Sequence, residues 1–361
     1  MLLASILLAL TIAEVPSPAP AGAAEPHLHS RNGQLILSWL EPGVLKFSTF
    51  TNGKWSAPRV VVQREDLLVN WADFPSVVSD GKGTLFAQWL QVDGAHDHAY
   101  DAYIASSTDG GKTWRPAKKL EHAPKPGERG FVSLVPAASG VAAVWLSDGA
   151  LQGATIDAKL AISDTTRIDS RICECCATGA ARTANGVVAV YRDRSEAEVR
   201  DISVVRRVNG KWTAPASLHA DGWKIEGCPV NGPQIDANGR RAVVAWYSEG
   251  GGSKRVHVAF SRDSGATFAK ALRIDGGKPT GRVDVLLTRD GALVTWIDDA
   301  SIVVRHVRED GRMSDITRVA ASSAARSAGF PRAAMLGDAA YVAWTEPSTP
   351  KRIRVARVDV K

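Results

Sequence analysis

Short apolar segments that end in an aromatic residue recur along the whole chain. These aromatic residues are Trp39, Trp89, Trp145, Tyr191, Trp246, Trp296 and Trp344. Most segments follow a Gly or Asp-Gly turn and precede an alternating apolar and polar segment such as residues 256–260. A fixed period of about 50 residues is the mark of a repeated supersecondary unit. The pattern therefore predicts one repeated structure rather than unrelated domains.

Each unit has room for about four short strands, and four-stranded sheets repeated around an axis form a β-propeller. Seven aromatic positions predict an all-β propeller of seven blades, in a single domain over residues 24–361. A six-bladed ring is the alternative, in which the first and last units share one blade. The last unit, from Pro331 onward, is one strand short by length. We expect residues 25–30 to supply that strand and close the ring.

The N-terminus carries a second apolar feature. Residues 2–13 read LLASILLALTIA and are followed by Ala21-Gly22-Ala23. The run is shorter than the roughly 20 residues that span a bilayer, but it matches the apolar core and A-x-A site of a secretory signal. No Lys or Arg precedes Arg31, so the signal is atypical or the start lies upstream. We expect a signal peptide over 1–23 and a periplasmic or secreted protein. A buried N-terminal segment is the alternative.

Charge narrows the range of partners. The chain has 44 Lys and Arg against 38 Asp and Glu, a net charge of +6. Basic residues form no run typical of a nucleic-acid site, so no nucleic-acid partner is expected. The mild positive bias favours a polar or anionic small molecule or glycan. No later stretch is apolar enough to span a membrane, so stable membrane insertion is not expected. We expect a monomer.

Two segments share a sharper motif. Residues 107–114 fit S-x-D-x-G-x-T-W, and residues 261–268 fit the same motif with Phe in the last place. In a hairpin turn, the Asp can accept bonds from backbone N–H groups, the Gly permits positive φ, and the ring packs beneath. The residues with these structural roles are Asp109, Gly111 and Trp114 in the first segment and Asp263, Gly265 and Phe268 in the second.

These segments resemble the Asp-boxes of the sialidase-like, or BNR-repeat, superfamily, and the resemblance covers about residues 26–361. It implies a propeller, often six-bladed and exported, that often acts on glycans and keeps its boxes away from the active site. Sialidases begin with an F/Y-R-I-P motif whose Arg starts a three-arginine carboxylate clamp. This chain has His27-Leu28-His29-Ser30 there instead, which argues against true sialidase activity.

Residues 170–233 hold most of the unusual polar chemistry. A charged hairpin loop is expected after Tyr191, and an aromatic residue lies close to a carboxylate at Trp223 and Glu226. In the ordinary structural interpretation, the charged loop is solvated and Trp223 belongs to the core. The functional one is a binding site in which arginines hold an acid, Trp223 stacks on a sugar and Glu226 transfers a proton. The ligand-binding candidates are Arg192, Arg194, Arg200, Asp201, Trp223, Asn231, Arg282 and Arg332.

The resemblance also implies a Tyr nucleophile with a Glu base and an Asp acid. By residue type alone, Tyr191 and Glu226 are the catalytic candidates. The alternatives by type are Tyr247, Glu198, Asp73 and Asp97.

Four cysteines fall in equivalent connections of neighbouring units, with Cys173, Cys175 and Cys176 in one and Cys228 in the next. Their sulfurs can therefore meet on one face. Four cysteines allow three pairings. Because a Cys175–Cys176 bridge would be strained, we expect Cys228 to pair with one of the three. The alternatives are a reactive thiol or a thiolate site for copper or zinc, although C-x-C-C is not a zinc-ribbon spacing.

Two pairs of histidines, each separated by one residue, provide another possible metal site. On a strand, the spacing of His96 and His98 places both imidazole rings on the same side. His27 and His29 share this spacing. The ordinary interpretation places His96 and His98 in an exposed loop and His27 and His29 in a frayed terminus. We expect no required cofactor. The sequence thus predicts an exported propeller that binds a polar, anionic glycan-type ligand. It leaves open whether the protein is an enzyme, and glycoside hydrolysis is the expected reaction if it is one. A non-catalytic binding module and a metal-handling protein are the alternatives.

Overall fold

The structure, a computed structural model, describes residues 10–94, 99–137 and 139–360. Within these residues the chain folds into seven sheets of antiparallel strands, arranged as the blades of a β-propeller. The all-β, seven-bladed prediction is confirmed, and the six-bladed alternative is wrong. None of the described helices is long and apolar enough to cross a membrane.

The strands are numbered in chain order. β1 is Thr11–Val15 and belongs to the last blade. Blade 1 contains β2 Ala24–Arg31, β3 Gln34–Glu41, β4 Val44–Thr51, β5 Lys54–Trp55 and β6 Arg59–Gln63. Blade 2 contains β7 Ser76–Ser79, β8 Leu85–Val92, β9 Tyr100–Ser107 and β10 Lys118–Lys119. Blade 3 contains β11 Arg129–Pro136, β12 Val141–Ser147, β13 Ala150–Ile156 and β14 Ile162–Asp169.

Blade 4 contains β15 Gly179–Thr183, β16 Gly186–Arg192, β17 Ile202–Val208, β18 Lys211–Trp212 and β19 Ala216–His219. Blade 5 contains β20 Gln234–Asn238, β21 Arg241–Ser248, β22 Arg255–Ser261 and β23 Leu272–Arg273. Blade 6 contains β24 Pro279–Leu287, β25 Gly291–Asp298, β26 Ser301–Arg308 and β27 Thr317–Ala321. Blade 7 contains β28 Arg332–Leu336, β29 Ala339–Glu346, β30 Arg352–Asp359 and β1. Two short 3-10 turns lie at Gly250–Gly252 and Arg326–Ala328.

The second strand of each blade is apolar along nearly its whole length because the neighbouring blades cover both of its faces. The repeated aromatic residues lie near the ends of these strands, and Trp39 and Trp296 are fully buried. Their indole N–H groups donate to acids two residues later, with Trp39 Nε1 2.9 Å from Glu41 and Trp296 Nε1 3.0 Å from Asp298. The repeat therefore marks inter-blade packing, and the ring N–H groups of Trp39 and Trp296 are satisfied at the blade edge.

Buried aspartates join adjacent blades near the central axis. The carboxylate of Asp73 accepts a 2.6 Å hydrogen bond from the Phe131 N–H of the next blade. Asp236 accepts one of 2.8 Å from Leu287 N–H in the same way, and Asp284 repeats the contact into blade 7. Burial raises the pKa of Asp73 to about 7 and that of Asp236 to about 6.

The two Asp-box segments form the predicted turns between third and fourth strands. In the second, Asp263 accepts bonds from the Thr267 hydroxyl at 2.7 Å and the Thr267 N–H at 2.9 Å. These bonds hold the pKa of Asp263 at about 2. In the first, Gly111 has φ +83° and lies so close to the Phe47 ring that a Cβ would overlap it. The contacts are those of a structural turn.

Residues 25–30 do not close the ring. They lie in β2, the inner strand of blade 1, whereas β1 pairs with β30 as the fourth strand of blade 7. The prediction assigned closure to the wrong segment because residues 11–15 lie inside the segment 1–23 that was interpreted as a signal peptide. Ala23, at the predicted cleavage site, is fully buried. The signal peptide and the export that it implies stay predictions.

Candidate functional site between blades 4 and 5

Three segments meet at one end of the propeller. They are the connection 170–178 that enters blade 4, the loop 193–201 between its second and third strands, and the connection 220–233 that enters blade 5. The Cys173 N–H donates to the Arg192 carbonyl at 3.0 Å, and the Arg200 N–H donates to the Trp223 carbonyl at 2.8 Å. Because strands alternate in direction, the Asp-box turns lie at the opposite end.

An open pocket of about 590 Å³ lies among these segments, and we call it the blade 4–5 pocket. Its lining residues are Glu174, Cys175, Arg194, Glu198, Arg200, Glu226, Gly227 and Cys228. Two arginines and three glutamates thus surround the space. The sequence predicted Arg194, Arg200 and Glu226 as site residues, and the structure brings these three together.

Glu198 organises one wall of the pocket. Its carboxylate accepts hydrogen bonds from Arg200 Nη2 at 2.8 Å, Arg194 Nε at 3.1 Å and Arg171 Nη2 at 3.1 Å. The hydrogen bond from Arg200 is the main cause that lowers the pKa of Glu198. Arg194 also donates to Glu174 at 3.1 Å. The arginine charges are therefore largely neutralised by carboxylates of the same wall.

Glu226 differs from the other two glutamates of the pocket. It lies exposed on the connection into blade 5. Among the described residues, none donates a hydrogen bond to its carboxylate. The Glu226 oxygens are consequently free to accept bonds from a ligand or to exchange a proton with it.

Arg192 has an internal role instead of a place on the pocket wall. It is fully buried, and its three nitrogens donate to backbone carbonyls: Nε to Asn231 at 2.9 Å, Nη1 to Arg200 at 2.6 Å and Nη2 to Tyr247 at 2.6 Å. Its guanidinium carbon lies 4.6 Å from the centre of the Trp223 ring. Burial lowers the pKa of Arg192 to about 10. This side chain ties the loop segments together and does not point at the pocket.

Three other predicted ligand residues also stabilise these segments. Trp223 is buried, so the expected sugar platform is covered, one face lying against Arg192. Asp201 accepts 3.0 Å bonds from the backbone N–H groups of Gly222 and Trp223. Asn231 accepts a 2.7 Å bond from the Arg282 N–H. The ordinary interpretation of a core Trp fits the structure better than the functional one.

Tyr191 lies outside the pocket as well. It is buried, and its hydroxyl donates a 2.6 Å hydrogen bond to Asp169. Burial, with Asp169 as a second cause, raises the pKa of this phenol. The Tyr191 hydroxyl is hydrogen-bonded to Asp169 and lies away from the pocket lining. It is therefore not placed to attack a ligand bound in the pocket.

Arg200, Arg282 and Arg332, three of the arginines expected to hold an acid, do not converge. Arg200 lines the blade 4–5 pocket, whereas Arg332 lines a separate cavity of about 120 Å³ at the central axis. Arg282 lines neither. Its guanidinium donates to the carbonyls of Ala325 and Gly329 at 2.9 Å and packs over the Trp71 ring. An anionic ligand therefore finds no assembled three-arginine site.

The four cysteines are paired as two disulfides, Cys173–Cys176 and Cys175–Cys228. Cys228 thus pairs with one of the three clustered cysteines, as expected. The copper or zinc alternative would first require reduction, because sulfurs in a disulfide are not thiolate ligands.

The two histidine pairs fall in different situations. His96 and His98 lie outside the described residues, as does Asp97. His27 and His29 belong to the inner strand β2 and are not a frayed terminus. Burial lowers the pKa of His27 to about 3 and that of His29 to about 4. Both side chains are therefore neutral over the ordinary pH range.

The sequence interpretation passed over Glu174 as a pocket residue. The only signal for Glu174 in the sequence is its place between Cys173 and Cys175. The structure shows that the disulfide Cys175–Cys228 holds this turn at the pocket edge, which carries Glu174 with it.

Neither a protein-family model nor a curated protein matches the chain. Solved structures do match over almost its full length. An ulvan lyase of polysaccharide lyase family PL25 has a TM-score of 0.61 at 12% identity and covers 95% of both chains. An ancestral GH74 enzyme has a TM-score of 0.58 at 12% identity, covering 98% of this chain and 51% of that one. A protein of unknown function from Dyadobacter fermentans has a TM-score of 0.54 at 14% identity, covering 98% and 99%.

At these identities the likeness shows the fold alone. The chain is a seven-bladed β-propeller, and propellers of this shape include carbohydrate-active enzymes. Membership of the sialidase-like superfamily stays a prediction from the Asp-box motifs.

Proposed function

We propose that the protein is an exported propeller of sialidase-like type that binds a glycan in the blade 4–5 pocket and hydrolyses it there. The observation that carries the proposal is the Glu226 carboxylate, which accepts no hydrogen bond from the described residues and lines the same open pocket as the hydrogen-bonded network of Arg194, Glu174 and Glu198. Structural neighbours that include polysaccharide lyases and a GH74 enzyme support a carbohydrate ligand.

The charge of the pocket favours a hydroxyl-rich sugar that is close to neutral over a strongly anionic one. Three carboxylates outnumber two arginines, and both arginines already contact Glu198. Sugar hydroxyls can donate to Glu174 and Glu226 and accept from Arg194. This replaces the expectation of an anionic ligand held by an arginine clamp.

For the reaction, Glu226 is the candidate general acid or base. A glycosidase needs a second carboxylate across the scissile bond. Of the two other glutamates that line the pocket, Glu174 has fewer internal hydrogen bonds than Glu198. In this scheme Glu226 protonates the leaving oxygen while Glu174 activates water or stabilises the developing positive charge.

The test measures binding of neutral and acidic oligosaccharides by calorimetry and analyses products by chromatography. Arg194→Ala should weaken binding of the best glycan about 10- to 100-fold, because hydrogen bonds to charged groups contribute roughly 1.5–3 kcal/mol. Glu226→Gln should keep binding and lose turnover. Lys112→Ala, an exposed basic residue at the Asp-box end, is the matched charge control and should change neither.

The outcomes separate the candidate functions. Saturable binding without any turnover by the wild-type protein identifies a non-catalytic binding module. Products with a new double bond would assign elimination instead of hydrolysis. Absence of binding to every glycan, or equal affinity for Arg194→Ala and wild type, would refute the proposed site.

A further inference from the structure

The two disulfides lie one beneath the other at the wall of the blade 4–5 pocket. In the outer disulfide, Cys228 is exposed and Cys175 is half-buried, while both sulfurs of the inner disulfide belong to residues only 1% exposed. The non-bonded sulfurs of Cys173 and Cys175 are 3.8 Å apart. The sulfurs of Cys173, Cys175 and Cys176 all lie within 4.8 Å of one another. An accessible disulfide therefore touches a sealed one.

We propose that these four cysteines form a thiol–disulfide exchange centre that accepts electrons from a soluble dithiol. A thiolate of the dithiol attacks the exposed sulfur of Cys228, breaks the Cys175–Cys228 bond and releases the Cys175 thiolate. The second thiol of the reagent then displaces Cys228 as a thiol and leaves the reagent oxidised to a disulfide. One dithiol has thereby supplied two electrons and two protons.

The second step passes the reduction inward. The Cys175 thiolate attacks the adjacent sulfur of Cys173, which breaks the Cys173–Cys176 bond, forms Cys173–Cys175 and releases Cys176 as a thiol. No further oxidant or reductant is consumed. The end state holds one disulfide, Cys173–Cys175, and two thiols, Cys176 and Cys228. Exchange of this kind requires a thiolate in contact with a disulfide sulfur, and the 3.8 Å separation supplies that contact.

The surrounding structure allows the outer bond to open without unfolding. The connection that carries Cys228 is also held by Arg192 through the Asn231 carbonyl at 2.9 Å, and by the Arg200 N–H on the Trp223 carbonyl at 2.8 Å. At Gly232 the same connection packs directly on the backbone of the connection that carries Cys175. The disulfide is therefore not the sole link between the two segments. Exposed disulfides are the more readily reduced class.

The first experiment treats the native, fully oxidised chain with about one equivalent of dithiothreitol, followed by acid quenching, alkylation and peptide mapping. The proposal expects about two labelled thiols per chain, at Cys176 and Cys228, with Cys173–Cys175 as the remaining disulfide. A soluble Cys-x-x-Cys peptide forms the second arm. Faster reduction by the peptide than by dithiothreitol identifies a protein dithiol as the donor, and the reverse identifies a small molecule.

A variant tests the internal step without any reductant. Cys228→Ser leaves Cys175 unpaired, so the exchange should distribute the single free thiol between Cys175 and Cys176. In the double variant Cys173→Ser/Cys176→Ser, reduction should label only Cys175 and Cys228. Circular dichroism of each variant confirms folding before labelling.

Three results would overturn the proposal. They are label at Cys175 and Cys228 alone in the wild-type chain, a free thiol confined to Cys175 in Cys228→Ser, and resistance of the native chain to both dithiols. The last result would identify the disulfides as inert staples.

Discussion

Replacement of Arg192 tests whether this buried side chain supports the site or binds ligand. The side chain is fully buried, and its three nitrogens donate to carbonyls at 2.6–2.9 Å. Arg192→Ala leaves three acceptors facing a cavity, and each buried unsatisfied group costs about 1–3 kcal/mol. Water that enters the cavity recovers part of this. The expected loss in the free energy of unfolding is about 3–5 kcal/mol.

The corresponding change in melting temperature follows from the length of the chain. With an unfolding entropy of about 2 cal/mol/K per residue, a loss of 3–5 kcal/mol over 361 residues lowers Tm by about 4–7 °C. Calorimetric melting under non-reducing conditions measures this. Arg192→Lys should fall between wild type and Arg192→Ala, because an ammonium keeps the charge but not the planar fork that reaches three carbonyls.

Arg194→Ala is the matched control two residues away. Its side chain is 30% exposed and pairs with surface carboxylates, so its loss should alter stability by less than about 1 kcal/mol. A melting temperature for Arg192→Ala within about 1 °C of wild type would refute the argument that Arg192 stabilises the fold by donating hydrogen bonds to three buried carbonyls. If that variant stayed stable and lost glycan affinity, the original prediction of a ligand-binding Arg192 would be restored.

Two further predictions concern the backbone and the central axis. Gly232→Ala places a Cβ 1.8 Å from the Ala177 carbonyl oxygen. This variant should lower the free energy of unfolding, measured in urea, by about 2–3 kcal/mol. Gly227→Ala is the control, because Gly227 lies in open surroundings in the same connection, and it should leave the stability unchanged. Burial raises the pKa of Asp73 from 3.8 to about 7, so its contribution to stability is present below pH 3.8 and is lost as pH rises through 7. Asp73→Asn should therefore gain stability relative to wild type between pH 4 and pH 8, and a constant difference across calorimetric melts in that range would contradict the assignment.

The repeat could be predicted from the sequence because each blade needs an apolar second strand and an aromatic residue between blades. The sequence did not predict which residues at or near a loop are buried and which line the pocket. Arg192 and Arg194 are two positions apart and look equivalent in the sequence. Arg192 nevertheless ends β16 and is buried, whereas Arg194 lies in the loop 193–201 and lines the pocket. The sequence indicates that Cys228 pairs with a clustered cysteine, but choosing Cys175 required the path of both connections.

The N-terminal strand shows a different limit. An apolar run of this length matches both a secretory signal and a strand, and composition alone does not separate the two. Only its register against β30 reveals that Glu14 meets Arg354, 340 residues away.

That contact makes the seventh blade depend on both ends of the chain. During synthesis β1 emerges before the other described strands and its partner β30 after them, so six blades can form while the seventh still lacks a strand. Until β1 and β30 pair, each strand presents unpaired backbone N–H and C=O groups. Such groups are templates for pairing with another chain. Ring closure is thus a late step of folding. A cut between β1 and β2, which the predicted signal cleavage after Ala23 would itself make, would leave β1 joined to blade 7 only by noncovalent contacts.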